Sequence, residues 1–445
     1  MRQFLSIPVL FLLMALAAGV QSQEVWPLQK CINYALENNI HIKQGALNSD
    51  YYGNELNQAK SNRLPNLNAY MSNDMSYGRS LSYDNTYQNV NSNNTGGSLS
   101  SSITLWNGFI LSNQVKRAEL DLKASLEDLQ KAKDDIMLNI AAAYLEILFA
   151  DELVIVATDQ MGVTRQQIDR TSKLVDAGSL AKGSLLEIEA QLAREELQLV
   201  NEQNSLQLAY LNLYQLLELP STETFKIEKP NLPMLGAGQT MINSMDIFKT
   251  AVDVRPEIKS AEYKLQSAEK QLEVAKGSQY PTLAFGANYY NSYNNQYRDG
   301  TGNDIPFSDQ IKNNERYGFG FDLSIPIFNR RQVRNGISNA TIQKTNLELQ
   351  LQSAKNLLRK DIEQAYTNAL AALKRYMANE KAVVSMVEAF RYTEEKFNVG
   401  MVNSVEYNQS KNNLTKAKSD LLQAKYEYIF RTKILDFYAG KPIEL

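Results

Sequence analysis

Most of this chain is written twice, and that limits its fold more than any other feature. Residues 35–43 (ALENNIHIK) match 251–259 (AVDVRPEIK) at an offset of 216, which Leu64-Pro65 and Tyr280-Pro281 keep. Trp106-Asn107 matches Phe328-Asn329, Ala143-Tyr144 matches Ala365-Tyr366, and Gly178 matches Gly400, all at an offset of 222. Two copies of one unit explain these pairs, the second carrying six extra residues between Pro281 and Phe328. The repeats span 23–217 and 244–440, followed by a short tail, 441–445. Between them, 218–243 carries Pro220, Pro230, Pro233 and two glycines, so a long helix is not expected there. At 445 residues the chain has the length of two or three independent domains. The duplication replaces that expectation with two versions of one element order.

That order starts with a helix, about 27–60 and 244–278, that ends near Pro65 or Pro281. Two strand-like pieces follow, about 65–77 and 97–106 in the first repeat and 281–293 and 316–328 in the second. The alternation is clearest at Tyr317, Phe319, Phe321, Leu323 and Ile325, with Gly318, Gly320, Asp322 and Ser324 on the other face. Asn, Ser, Tyr and Gly crowd 85–98 and 291–314, which read as loops.

Long helical runs come next. No proline occurs from 107 to 176 or from 331 to 399, enough for rods of about 105 Å. Leu122, Leu126, Leu129, Ile136, Ile140, Ala143, Ile147, Ala150, Val154 and Ala157 follow an alternating 4-3 spacing, interrupted only by Lys133. The seam resumes after Gly178 at Leu185, Ile188, Leu192 and Leu199. In the second repeat it returns at Leu351, Leu358, Ile362, Ala365, Ala369 and Ala372. Each run reaches a glycine and reverses, which predicts helical hairpins with tips near 178 and 400 and left-handed backbone at both glycines.

Residues 1–22 have an arginine, an apolar run and a small-residue ending, the pattern of a secretory signal peptide. With 46 basic and 49 acidic residues the formal charge is -3, unlike that of a general nucleic-acid binder. A mean hydropathy of -0.37 excludes a bundle of membrane-spanning helices. One cysteine and one histidine exclude a disulfide framework and a Cys/His metal centre within one chain. Cys31 reads as a small buried helix residue and His41 as an incidental one. Asp134-Asp135 and Glu195-Glu196 read as solvated helix-surface acids. No phosphate loop, cofactor motif or catalytic constellation is present, so no enzyme activity is expected.

Amphipathic strands of this length cross an outer membrane when tilted. Four strands cannot close a barrel, and an open edge in lipid leaves backbone groups unpaired at several kcal/mol each. Further copies of the chain must therefore complete the sheet. Three copies give twelve strands and a usable lumen, and four helical columns per chain give a matching twelve-helix wall. The expected fold is a membrane β-barrel joined to a long α-helical coiled-coil barrel. An envelope coiled-coil structural or adhesion protein, and a passive outer membrane porin, stay open as alternatives.

The order of short motifs resembles that of the TolC-like outer membrane efflux proteins along nearly the whole mature chain. The similar pieces are residues 28–39 (LQKCINYALENN), Arg255-Pro256-Glu257-Ile258, and the strand starts Leu64-Pro65 and Tyr280-Pro281. Leu105-Trp106-Asn107-Gly108 and Pro326-Ile327-Phe328-Asn329 stand at the strand exits. Lys396-Phe397-Asn398-Val399-Gly400, then 403–407 (NSVEY), mark the second tip. The resemblance implies a homotrimer in outer membrane lipid, with a helical tunnel crossing the periplasm to a periplasmic adaptor and an inner membrane pump of the RND, ABC or MFS type. It implies acidic gate positions six and nine residues beyond the tip glycine. Here those are Glu406 and Gln409 in the second repeat and Ser184 and Glu187 in the first, so Gln409 departs from a double acidic ring. Gly178, Gly400, Lys396, Phe397, Asn398 and Val399 are the implied adaptor-docking positions. The cargo has no signature in the sequence.

Overall fold

A computed structural model describes residues 25–81, 85–220, 225–230 and 243–443. The signal segment 1–22 and most of 218–243 lie outside the described residues. The order is β1 (Val25–Trp26), α1 (Leu28–Asn38), α2 (Ile40–Ser61), β2 (Asn68–Leu81), β3 (Tyr87–Trp106), α3 (Ile110–Asp176), α4 (Lys182–Leu217) and β4 (Lys226–Ile227). The second half adds α5 (Ser244–Val254), α6 (Pro256–Gly277), β5 (Thr282–Asn294), α7 (Phe307–Asn313), β6 (Arg316–Ser324), α8 (Gln332–Asn398) and α9 (Ser404–Tyr438). At 67 residues each, α3 and α8 are about 100 Å long. Among the described residues no helix is long and apolar enough to cross a membrane.

The opening helix of each repeat is two helices, not one. The breaks fall at Asn39 and Arg255, again 216 residues apart, with ψ of 131° and 130°. Pro256 pushes Arg255 out of the helical region. Asn39 reaches the same bend with its side chain, which accepts from the His41 amide at 2.9 Å and donates to the Leu216 carbonyl at 3.1 Å.

Contacts divide the chain into two compact units. One comprises 1–46, 128–258 and 355–445, and its described residues hold helices and the parallel β1–β4 pair. Ile136, Ile140, Ala143, Ile147, Ala150 and Ala157 bury the seam of α3, and Leu358, Ile362, Ala365, Ala369 and Ala372 that of α8. Trp26 stacks on Phe225 at 4.6 Å, and the Tyr144 hydroxyl donates to the Glu228 carbonyl at 2.7 Å, so the short linker piece is held in this core. Cys31 is fully buried, and burial pushes its thiol up to about 12, which leaves it unreactive.

The surface acids of the sequence reading need correction here. In each adjacent pair one carboxylate faces inward. Asp134 is buried and pairs with the buried Arg255 at 3.2 Å, and Glu195 is buried against Lys411. Arg255 also meets Glu257 at 3.3 Å and lies 4.1 Å over the Phe437 ring.

The other unit comprises 47–127 and 259–354 and holds one antiparallel sheet in the order β2-β3-β5-β6. β3 begins at Tyr87, so much of the expected loop 85–98 is strand. Its Asn, Ser and Thr residues need no apolar face to pair backbone with β2 over Leu81–Tyr87 to Asn68–Ser100. β6 ends at Ser324 rather than 328, because Pro326 has no N–H to give a ladder.

The register gives the sheet two unlike faces. Met71, Met75, Tyr77, Leu99, Ile103, Phe285, Tyr289, Tyr317, Phe319, Phe321 and Leu323 share one face. Directly opposed rings meet there, Phe285 with Phe321 at 5.1 Å and Tyr289 with Tyr317 at 5.2 Å. Phe319 is 82% exposed within the single chain. The opposite face carries mainly Ser, Gly, Asn and Thr. Among the described residues β2 pairs only with β3 and β6 only with β5.

Candidate functional site

Both hairpin tips lie in the helical unit, and each is closed by the same motif. Gly178 has φ 72° and Gly400 has φ 74°. The Gly178 and Ser179 amides bond the Val175 and Leu174 carbonyls, and the Gly400 and Met401 amides bond those of Phe397 and Lys396. This 5→2 and 6→1 pair is a Schellman cap, which satisfies the last carbonyls of the long helix and requires a left-handed residue at the glycine. Space around either glycine is open, so backbone torsion alone demands it.

Below the turns the hairpins meet. Ile188 of α4 packs against Phe397 of α8 and Tyr407 of α9, with the Phe397 and Tyr407 rings 4.8 Å apart. Phe397 is thus turned inward, an apolar ring taken up by the hairpin contact. Lys396, Asn398 and Val399 face outward, and Val399 and Met401 are 71% and 76% exposed. The buried Tyr407 hydroxyl finds no hydrogen-bond partner among the described residues, and burial raises its titration.

The four gate candidates do not form one constellation. The Ser404 hydroxyl donates to the Glu187 carboxylate, tying the first-repeat hairpin to the second. Asn403 caps α9 by accepting from the Glu406 amide at 2.9 Å, and the Glu406 side chain is exposed in the first turn. There its negative charge sits at the positive end of the helix dipole. Gln409 donates to Asn413 at 3.0 Å, and the Ser184 amide bonds the Ala181 carbonyl. Among the described residues no hydrogen bond joins Gln409 or Ser184 to Glu187 or Glu406. Pro65 lies three residues before β2, and Pro281 immediately before β5.

Further from the turns is a buried polar network that sequence reasoning missed. Lys411, 3% exposed, donates to the Gln160 carbonyl at 3.0 Å, to the Thr164 hydroxyl and to Glu195 at 3.3 Å. Glu195 also accepts from Thr164, from Gln160 at 3.2 Å and from Gln191 at 3.0 Å. Gln191 further donates to Asn412, and Thr415 donates to the Gln160 side chain. Burial holds the Lys411 ammonium below its ordinary value, against the opposing charge of Glu195. Three helices, α3, α4 and α9, are thus locked in register by groups that all require partners. The only signal in the sequence was the polar residues themselves, at positions where a coiled coil places apolar ones.

Comparisons with known proteins agree with this arrangement. The family model described as outer membrane efflux protein matches residues 31–218 and 248–441, one match per repeat. The chain is 24% identical to outer membrane protein TolC of Salmonella enteritidis, over 93% of this chain and 82% of that one. It is 22% identical to toxin and drug export protein A of Aggregatibacter actinomycetemcomitans, over 75% of this chain and 70% of the other. The crystal structure of the outer membrane protein VceC from Vibrio cholerae superposes with a TM-score of 0.78 at 17% identity, covering 94% of this chain and 97% of that one.

Proposed function

We propose that this chain, which belongs to the outer membrane efflux protein family, works as a homotrimeric exit duct that carries cargo from the periplasmic side to the outside. The observation that carries this reading is the two-faced sheet with one edge at β2 and another at β6. Its apolar face suits lipid and its polar face suits water. Joining the β6 edge of one copy to the β2 edge of the next removes every open edge and yields a twelve-stranded barrel.

The tips are the periplasmic mouth. Three Glu406 side chains at a narrow opening favour cations and repel one another. Gln409 adds no charge, so the acidic ring is single. The Ser404–Glu187 bond holds the two hairpins of each chain together in the closed arrangement. A periplasmic adaptor docks on the outward Lys396, Asn398, Val399 and Met401 around the Gly178 and Gly400 turns and separates the hairpins. An inner membrane pump of the RND, ABC or MFS type supplies the energy, since the chain carries no nucleotide-binding motif.

Single-channel recording of purified trimers in planar bilayers tests the reading. Cation-preferring conductance is expected, with the preference lowered in Glu406→Gln. Preference and conductance both unchanged in that variant would end the gate assignment, and a wild-type trimer that opens no channel would end the duct itself.

A further inference from the structure

The polar face of the sheet is not uniform. Tyr70 of β2 pairs with Ser98 of β3, Ser98 with Tyr290 of β5, and Tyr290 with Arg316 of β6. Directly opposed residues of an antiparallel ladder share a face, so two phenols and a guanidinium stand in one row across four strands. Its neighbours are smaller. Ser72 and Gly96 occupy the row on one side, and Ser102, Gly286 and Gly320 stand two rows away on the other. The intervening row is flattened too, since Asn288 lies over Gly318, its Oδ1 2.6 Å from where a Cβ would be. Tyr290 leans over Gly96, its hydroxyl 3.4 Å from the equivalent point.

The functional groups of this row are uncommitted. Tyr70, Tyr290 and Arg316 make no side-chain hydrogen bond, ion pair or ring contact among the described residues. Glu315, next in sequence to Arg316, is on the other face and accepts from Tyr317 at 3.0 Å. The acids on the polar face, Asp74 and Asp322, are four and six residues along their strands from Tyr70 and Arg316, about 13 and 20 Å. Neither neutralises the guanidinium at contact range.

We propose that Tyr70, Tyr290 and Arg316 form a selectivity row for aromatic anions in the lumen, an inference that rests on the duct reading above. The backbones of Tyr70 and Tyr290 stand two strand spacings apart, about 10 Å, so one planar ring lying over β3 can meet a phenol from each neighbouring strand. Arg316, one strand further, presents a fork that matches a carboxylate or sulfonate on that ring. An aromatic cation gains the ring contact and meets the like charge of Arg316. Three rows around a closed barrel make a collar of six tyrosines and three arginines, the bulkiest level of the lumen wall. Cargo of this class dwells there, and cargo without a ring passes it unheld.

The test is block of single channels by 2-naphthalenesulfonate and by a naphthylmethylammonium of similar size, added on the barrel side of a bilayer holding full-length trimers. Wild type should bind the sulfonate at least about tenfold more tightly, the worth of one charge-assisted contact. Arg316→Gln should bring the two affinities within about twofold, and Arg316→Lys should keep the order. Tyr70→Ser with Tyr290→Ser should weaken block by both probes about tenfold, as loss of stacking does elsewhere, with open-channel conductance no lower than wild type. Equal block of wild type by the two probes overturns the proposal, as does an Arg316→Gln channel that still prefers the sulfonate. Either result comes from conducting trimers and leaves the duct standing, whereas a wild type that conducts nothing removes both.

Discussion

Adjacent residues on a helix point about 100° apart, and at Asp134-Asp135 and Glu195-Glu196 that angle puts one acid in water and the other in the core. The sequence shows two identical letters in each case. Only the partner on another helix, Arg255 for Asp134 and Lys411 for Glu195, says which one turns inward. Such partners are remote in the chain and follow no local period, so this part of the site was not legible. Gly178 and Gly400 were legible, because left-handed backbone selects a residue type that can be read directly. Lys411→Met should leave Glu195 buried without its cation and cost about 3–5 kcal/mol. Hydrogen exchange in α4 and α9 measures this as lost protection. Adding Glu195→Leu should restore most of it, since an apolar pair of similar volume suits the seam. A double variant as unprotected as the single would show that the charge pair contributes more than a satisfied burial.

Covalent chemistry marks two element boundaries that the sequence reading ran through, in the helix over 244–278 and the strand over 316–328. Pro256 and Pro326 stop a helix and a strand for reasons any sequence shows. Asn39 makes the same bend as Arg255 through two hydrogen bonds to residues that the fold must first deliver. β3 was read ten residues short because its Asn-rich half alternates in no hydrophobic pattern. The junction between strand and long helix shows the same division. In the first repeat it passes through Gly108 and Phe109, with φ of 65° and 64°, and in the second through Arg330 and Arg331, with φ of 51° and 65°. Both repeats therefore turn the chain with two consecutive left-handed residues at equivalent positions, and the second does so with no glycine. Arg330→Gly should relieve about 1 kcal/mol of torsional strain. Calorimetry of the detergent-solubilised protein should record a higher midpoint. An unchanged or lower one would mean that Arg330 makes compensating contacts in the assembly.

For the whole molecule, the duplication and the alternation in β6 were enough to anticipate a single sheet of four two-faced strands, which has no closed form of its own. The cargo row was hidden, since Tyr70, Ser98, Tyr290 and Arg316 become neighbours only through the register of three ladders. The face assignment can be tested with two adjacent residues. Phe321→Arg puts a charge on the apolar face at a cost of about 2–4 kcal/mol near the bilayer centre. It should sharply reduce trimers recovered from outer membranes. Asp322→Asn alters the next residue on the polar face and should leave recovery unchanged. Equal losses would mean that the faces are assigned wrongly.

The β2 and β6 edges also decide how damage is inherited. In the proposed trimer each seam joins an edge from one subunit to an edge from another, so one defective subunit leaves the ring open. If half of the chains in a cell carried a spoiled edge strand, random mixing would leave only about one trimer in eight sound. A fault there acts as a dominant allele, poisoning assemblies built mostly from good copies. A fault confined to the buried seam of one hairpin stays with the subunit that carries it.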